Sequence, residues 1–350
     1  MEMRSKPKAY ICMHDRVPVA YTKTSRVVSY GPTGIYTKNT ISISWAYTQN
    51  RGESSSLTPL IIKFIIKIDR LGYKRRIIDM GSSFHSKTAI LLAAMCYQTY
   101  PLYLEGTLVL PSEYKLIYTI RALANVENPT KIVFGFIAES PDQIIIAFRG
   151  YAAYPEDLLA AYDILQVQYP YVPNAGNTSR GFTCIYRSTR TKLIHELNKL
   201  SATKQLYITG HNYGGALATL AALDIAVNTK FNNPVVYTYG SPRIGDPRFA
   251  NQFDNVIRNK VRIVNTHDSF PTFPAQHYPP PFTKQGIRYQ HVKTKYPLAF
   301  QLNTVTRNDS IACYFTSLSE KDPVFADMLC SNNPGFCPNP DICVPFGGTC

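Results

Sequence analysis

The sequence predicts an α/β fold, with a mixed, mostly parallel central sheet flanked by helices. Short, almost wholly apolar runs such as Ile144 to Phe148 suit strands covered on both faces. These runs alternate with longer stretches that are apolar at helical spacing, such as Ala216 to Asn228. A chain of 350 residues that is 45% hydrophobic and 17% charged can bury a sizeable core, which excludes global disorder.

The elements follow in chain order. Residues 1–79 hold fourteen Lys and Arg against five Asp and Glu, so much of the net charge of +14 sits in this basic N-terminal extension. Its one strand-like run is Thr40 to Tyr47, and it carries no chemical motif. Met80 is a plausible internal start, and a helix is expected over Lys87–Tyr97. Strands are expected over Lys131–Ala138 and Ile144–Phe148, joined by the turn Ser140-Pro141-Asp142-Gln143. Helix signals follow at Glu156–Leu165 and Arg187–Leu200, a strand at Gln205–Thr209, a helix at Ala216–Asn228, and short strands at Val235–Tyr239 and Val261–Asn265. Residues 80–312 are thus expected to form the α/β domain and residues 313–350 a Cys-rich tail. Cys313, Cys330, Cys337, Cys343 and Cys350 fall in that tail, whose Pro, Gly and Asn content suits a disulfide-stapled appendage. Its spacings include no C-x-x-C pair, which disfavours zinc, and its redox state stays open.

Several functions are disfavoured. No run approaches the ~20 apolar residues of a membrane span, and residues 1–10 lack a signal-peptide pattern. The default location is therefore cytoplasmic, although the Cys-rich tail leaves secretion open. A basic arm can meet nucleic acid, yet no zinc-finger spacing, helix-turn-helix pattern or aromatic-basic RNA motif supports that partner. No metal or other cofactor is called for.

The most informative segment is Tyr207-Ile208-Thr209-Gly210-His211-Asn212-Tyr213-Gly214-Gly215-Ala216. It reads as strand, glycine-flanked turn and helix, the arrangement of a nucleophile elbow. The tip residue is held in strained geometry, the positions two before and two after it must be small, and the helix N-terminus favours developing negative charge. Gly210 and Gly214 meet the size requirement, and the tip itself is Asn212.

Here the sequence resembles the class 3 lipases, fungal-lipase-like α/β-hydrolases. The resemblance runs from about Met95 to Pro297 through motifs in the family's order. These are Ile146-Ala147-Phe148-Arg149-Gly150, Arg180-Gly181-Phe182, Gly210 to Ala218, Tyr239-Gly240-Ser241-Pro242-Arg243-Ile244-Gly245-Asp246, Val264 to Pro274, and Tyr289-Gln290-His291-Val292. The resemblance implies an α/β-hydrolase fold and hydrolysis of lipid carboxylic esters, of triacylglycerol type, through an acyl-enzyme at a lipid–water interface. It makes residue 212 the nucleophile position, His291 the general base and Asp268 the carboxylate that orients it. The backbone N–H groups of Tyr151 and Tyr213 would form the oxyanion hole. His211, His267 and Ser241 would be structural. A lid over Ala152–Leu165 would present Leu158, Leu159 and Tyr162 along one face.

Asn212 departs from the family's serine, and its carboxamide has no ionisable proton for a base to remove. Three accounts follow: a silent relative that binds an acyl ligand, an inactivated serine enzyme, or deamidation to a carboxylate nucleophile. Tyr151, Tyr213 and Arg180 also replace the family's usual residues around the same mouth. The expected function is therefore lipase-like ester hydrolysis, with a catalytically inactive lipid-binding protein as the alternative.

Overall fold

The computed structural model describes residues 84–124, 131–151, 163–279, 286–339 and 343. The basic extension, 1–79, and the lid positions Leu158, Leu159 and Tyr162 lie outside these residues.

The fold is an α/β-hydrolase. Its sheet takes strands β1 (Lys115–Leu123), β2 (Lys131–Glu139) and β3 (Gln143–Phe148) from the N-terminal half, after helix α1 (Ser86–Leu104). A small ribbon, β4 (Gln166–Gln168) and β5 (Asn177–Ser179), leads into α2 (Arg180–Asn198). Then come β6 (Gln205–His211), α3 (Tyr213–Asn228), β7 (Val235–Tyr239), α4 (Pro247–Val256) and β8 (Lys260–Asn265). A second ribbon of β9 (His277–Tyr278) and β10 (Ile287–Arg288) precedes β11 (Lys295–Leu298). Helices α5 (Val305–Asn308), α6 (Ile311–Ser319) and α7 (Pro323–Asn332) follow. The seven-stranded sheet runs β1-β2-β3-β6-β7-β8-β11. It is antiparallel from β1 to β3 and parallel from β3 to β11.

Side-chain alternation explains why β3 is apolar throughout. Ile144, Ile146 and Phe148 enter the core under α2 and α3, while Ile145 and Ala147 enter the core under α1 and α6, and all five are fully buried. Helix α3 lies against β3, β6 and β7 and also touches α2 and α4, so it is apolar on every side.

The strands expected from Lys131 onward stand where the sequence put them, and the helices differ at their ends. The helix expected to start at Arg187 begins at Arg180, and β1 extends the sheet beyond the expected strands. Of the expected helix Glu156–Leu165, residues 163–165 are described and are not helical. The domain boundary at residue 312 falls inside α6, whose Tyr314, Phe315 and Leu318 are buried in the main core. The tail is therefore continuous with the domain, because its apolar helix closes the sheet face that α1 leaves open. Cys313–Cys343 and Cys330–Cys337 are disulfides, with Cα separations of 5.2 and 5.5 Å. Cys184 is also disulfide-bonded, and Cys96 is a buried free thiol. No described helix is long and apolar enough to cross a membrane.

Candidate active site

The bend between β6 and α3 has the geometry of a nucleophile elbow. Asn212 adopts φ +52°, ψ −117°, a conformation that L residues rarely accept. A Cβ on Gly210 would lie 2.1 Å from Gly214 O, and one on Gly214 would lie 2.1 Å from Phe148 O. Strand, helix and the exit of β3 thus meet backbone to backbone, which only glycine permits. Asn212 N–H donates to Tyr239 O at 2.8 Å and Gly215 N–H to Asn212 O at 2.9 Å, holding the bend to β7 and to its own helix. The loop after β3 is braced by Arg149, which is fully buried. Its guanidinium donates to Val133 O and Gly150 O and stacks on Tyr103 and Phe134, with ring centroids at 4.0 and 4.7 Å.

The side chains at the tip are committed to one another. Asn212 Oδ1 accepts from Tyr213 N–H at 2.6 Å, and Asn212 Nδ2 donates to Asp309 Oδ2 at 2.5 Å. Asp309 follows α5 and precedes α6, and Asp268 stands within hydrogen-bonding reach of it. Asp268 also accepts from Phe270 N–H and from Tyr314 O–H, both at 2.8 Å. Burial, and next the adjacent Asp309 charge, push the Asp268 carboxyl up to about 8. The shift favours the protonated Asp268, which eases the repulsion between it and the half-buried Asp309. His211 Nε2–H donates to Asp309 O at 2.5 Å, and its Nδ1 meets Tyr100 O–H at 2.6 Å, so it ties the end of β6 to these elements.

His291 is not brought to this cluster, which corrects its expected role. Its Nε2–H donates to Pro271 O at 2.6 Å, and it makes no hydrogen bond to Asp268. The segment around it is pinned elsewhere: Gln290 N–H donates to Gly245 O, Tyr289 N–H to Gln276 O, and Arg262 Nε to Val292 O. Burial, then the Arg262 charge, pull the His291 imidazole down to about 3. The residue standing between Asn212 and Asp268 is Asp309. No residue-type signal marks Asp309, because an imidazole base points to histidine and His291 is the last histidine of the sequence. The remaining clue was positional, an acid after the last strand and just before the apolar helix Ile311–Ser319.

Around Tyr213 the rings of Tyr151, Phe182 and Phe270 lie with centroids at 5.7, 5.3 and 5.3 Å, and Phe273 continues the apolar rim beyond Phe270. Tyr151 is thus beside the bend, but the Tyr213 N–H expected in the oxyanion hole is occupied by the neighbouring carboxamide oxygen. Among the described residues no group of three or more His, Cys, Asp and Glu could hold a metal ion.

A seven-stranded sheet with a glycine-bracketed bend between a parallel strand and a buried helix defines the α/β-hydrolases. Comparison with known proteins narrows this. The sequence profile described as "Lipase (class 3)" matches residues 145–278. The lipase of Rhizomucor miehei is 32% identical over 142 residues, 39% of this chain and 39% of that protein. A secreted mono- and diacylglycerol lipase of Malassezia globosa is 31% identical over 125 residues, 35% of this chain and 38% of that protein. Chloroplastic phospholipase A1-Igamma2 of Arabidopsis thaliana is 33% identical over 115 residues, 28% of this chain and 22% of that protein. The match thus spans about two fifths or less of each of these relatives. The structure of a fungal lipase–inhibitor complex superposes with a TM-score of 0.51 at 23% identity, covering 62% of this chain and 81% of that one, a likeness of fold. The segment that carries the bend is thus similar to the class 3 lipases.

Proposed function

We propose that this chain is a lipase-fold protein that takes acyl lipids at the aromatic rim of the bend without turning them over through an acyl-enzyme. One observation carries the reading: the Asn212 carboxamide bridges Tyr213 N–H and the Asp309 carboxylate. The bridge occupies an oxyanion donor at the nucleophile position, and an acid stands where a base would have to be. Asp309 is a carboxylate and lacks the two ring nitrogens with which an imidazole relays a proton between nucleophile and acid, so the triad chemistry lacks two of its three parts. The part-exposed rings of Tyr151, Phe270 and Phe273, packed around the buried Tyr213, supply an apolar surface for an acyl chain. The relatives, whose names describe lipases and a phospholipase, support a lipid ligand.

The test is a rebuilt triad. The wild-type protein is expected to leave a nitrophenyl ester at the background rate, as are Asn212→Ser and Asp309→His singly. The double variant Asn212→Ser/Asp309→His is expected to hydrolyse it at least 100-fold faster than wild type. Wild-type hydrolysis that exceeds background and is abolished by Asn212→Ala would overturn the reading.

A further inference from the structure

A second cluster lies one loop away from the bend and carries an unmatched positive charge. Arg243 and His291 grip the same four-residue loop, 271–274. Arg243 N–H donates to Phe273 O at 2.9 Å, Arg243 Nη1 donates to Thr272 O and to Pro274 O, and His291 Nε2–H donates to Pro271 O. Arg262, 8% exposed, donates from Nε to the carbonyl of Val292, the residue after His291, at 3.3 Å. Arg243 Nε is buried and meets no acceptor. Burial and the Arg243 charge lower the Arg262 guanidinium to about 10, and Arg262 and Arg243 together disfavour a charge on His291.

Buried charges ordinarily stand beside a countercharge. Here the nearby carboxylates are already engaged. Between residues 243 and 308 the sequence holds ten Lys and Arg against three acids, Asp246, Asp254 and Asp268. Asp246 caps α4 through Phe249 N–H and accepts from Asn177 N–H. Asp254 lies 3.4 Å from Lys260 Nζ and accepts from Lys293 N–H. Asp268 is engaged by Tyr314 and Asp309.

We propose that Arg243 and Arg262 form an anion site beside the uncharged His291, and that its ligand is a phosphate group, free or on a lipid head. The planar guanidinium fork matches a tetrahedral oxyanion with two parallel N–H donors, which a carbonyl cannot use fully. Arg262 offers its Nη atoms, for which no hydrogen-bond partner occurs among the described residues, and Arg243 its unpartnered Nε. The site does not depend on the lipase-fold reading, since neither of its arginines belongs to the tip cluster.

The experiment titrates the full chain with inorganic phosphate at fixed ionic strength by calorimetry. Saturable binding is expected, weakened at least tenfold by Arg262→Gln and by Arg243→Gln. Arg288→Gln, an exposed position in the same charge-rich stretch, is expected to change Kd less than twofold. Should Arg262→Gln fail to fold, Arg262→Lys, which keeps the charge and loses the fork, is expected to weaken binding in the same direction. Vesicles of phosphatidylcholine with and without phosphatidic acid separate the two sources. Retention that needs phosphatidic acid and is lost in Arg262→Gln assigns the site to a lipid head group. Phosphate binding without such retention assigns it to a free oxyanion. No saturable phosphate binding by wild type, or equal weakening by Arg288→Gln, overturns the proposal.

Discussion

At the bend, backbone atoms meet at distances that leave no choice of residue: Gly210 and Gly214 each face another backbone atom at 2.1 Å from where a Cβ would stand. At the opposite wall, between β8 and α6, Asp268 and Asp309 meet side chain to side chain, and different groups could satisfy the same space. The first region keeps the full geometry of a nucleophile elbow. The second keeps the scaffold and changes the chemistry, since an acid stands beside the acid where an imidazole would be needed. Backbone packing therefore constrains an active site more tightly than its reacting groups do. On the proposed reading a missing base leaves the fold intact, whereas a side chain at either glycine would meet backbone atoms.

The comparison can be broken most directly at the glycines. Gly210→Ala is expected to cost about 3 kcal/mol or more, because its methyl would push into backbone rather than into a movable side chain. Urea unfolding measures it, and a loss below about 1 kcal/mol would show that the bend yields.

The acid wall gives the next effect, read through pH. Asp268 titrates near 4 in the unfolded chain and is raised to about 8 in the folded one. The folded state therefore holds a proton that the unfolded state has released, and stability is expected to fall as pH rises from about 4 to about 8. In Asp309→Asn this slope should shrink, because the neighbouring charge that raises Asp268 is gone. A wild-type melting temperature that climbs through this window would contradict the paired-acid description.

Two smaller effects sharpen the contrast. Asn212→Ala removes the side chain that caps α3 through Tyr213 N–H, and is expected to cost about 1–2 kcal/mol. Tyr314→Phe removes the hydroxyl that donates to Asp268 and accepts from Asn265 N–H, and is expected to cost about 1 kcal/mol. Both are checked by denaturant melts, and a Tyr314→Phe loss as large as that of Gly210→Ala would erase the distinction between the two walls.

Much of the fold was legible because its signals are local. Ile144 to Phe148 announces a strand covered on both faces, and Gly210-His211-Asn212-Tyr213-Gly214 announces the bend, since periodicity and glycine spacing are properties of a short window. The burial of the apolar helix Ile311–Ser319 was not legible, because its packing against α1 depends on a partner more than two hundred residues earlier.

The sequence by itself determined the sheet's central strands, the bend and the absence of an ionisable nucleophile at its tip, because each is set by residue type and near-neighbour spacing. Only the tertiary structure decided that Asp309 rather than His291 meets Asn212 and Asp268, and that Arg243 and His291 hold loop 271–274 while Arg262 bonds the residue after His291. Those meetings join side chains from separate loops, and chain order alone carries no information about which loops the packed sheet brings together.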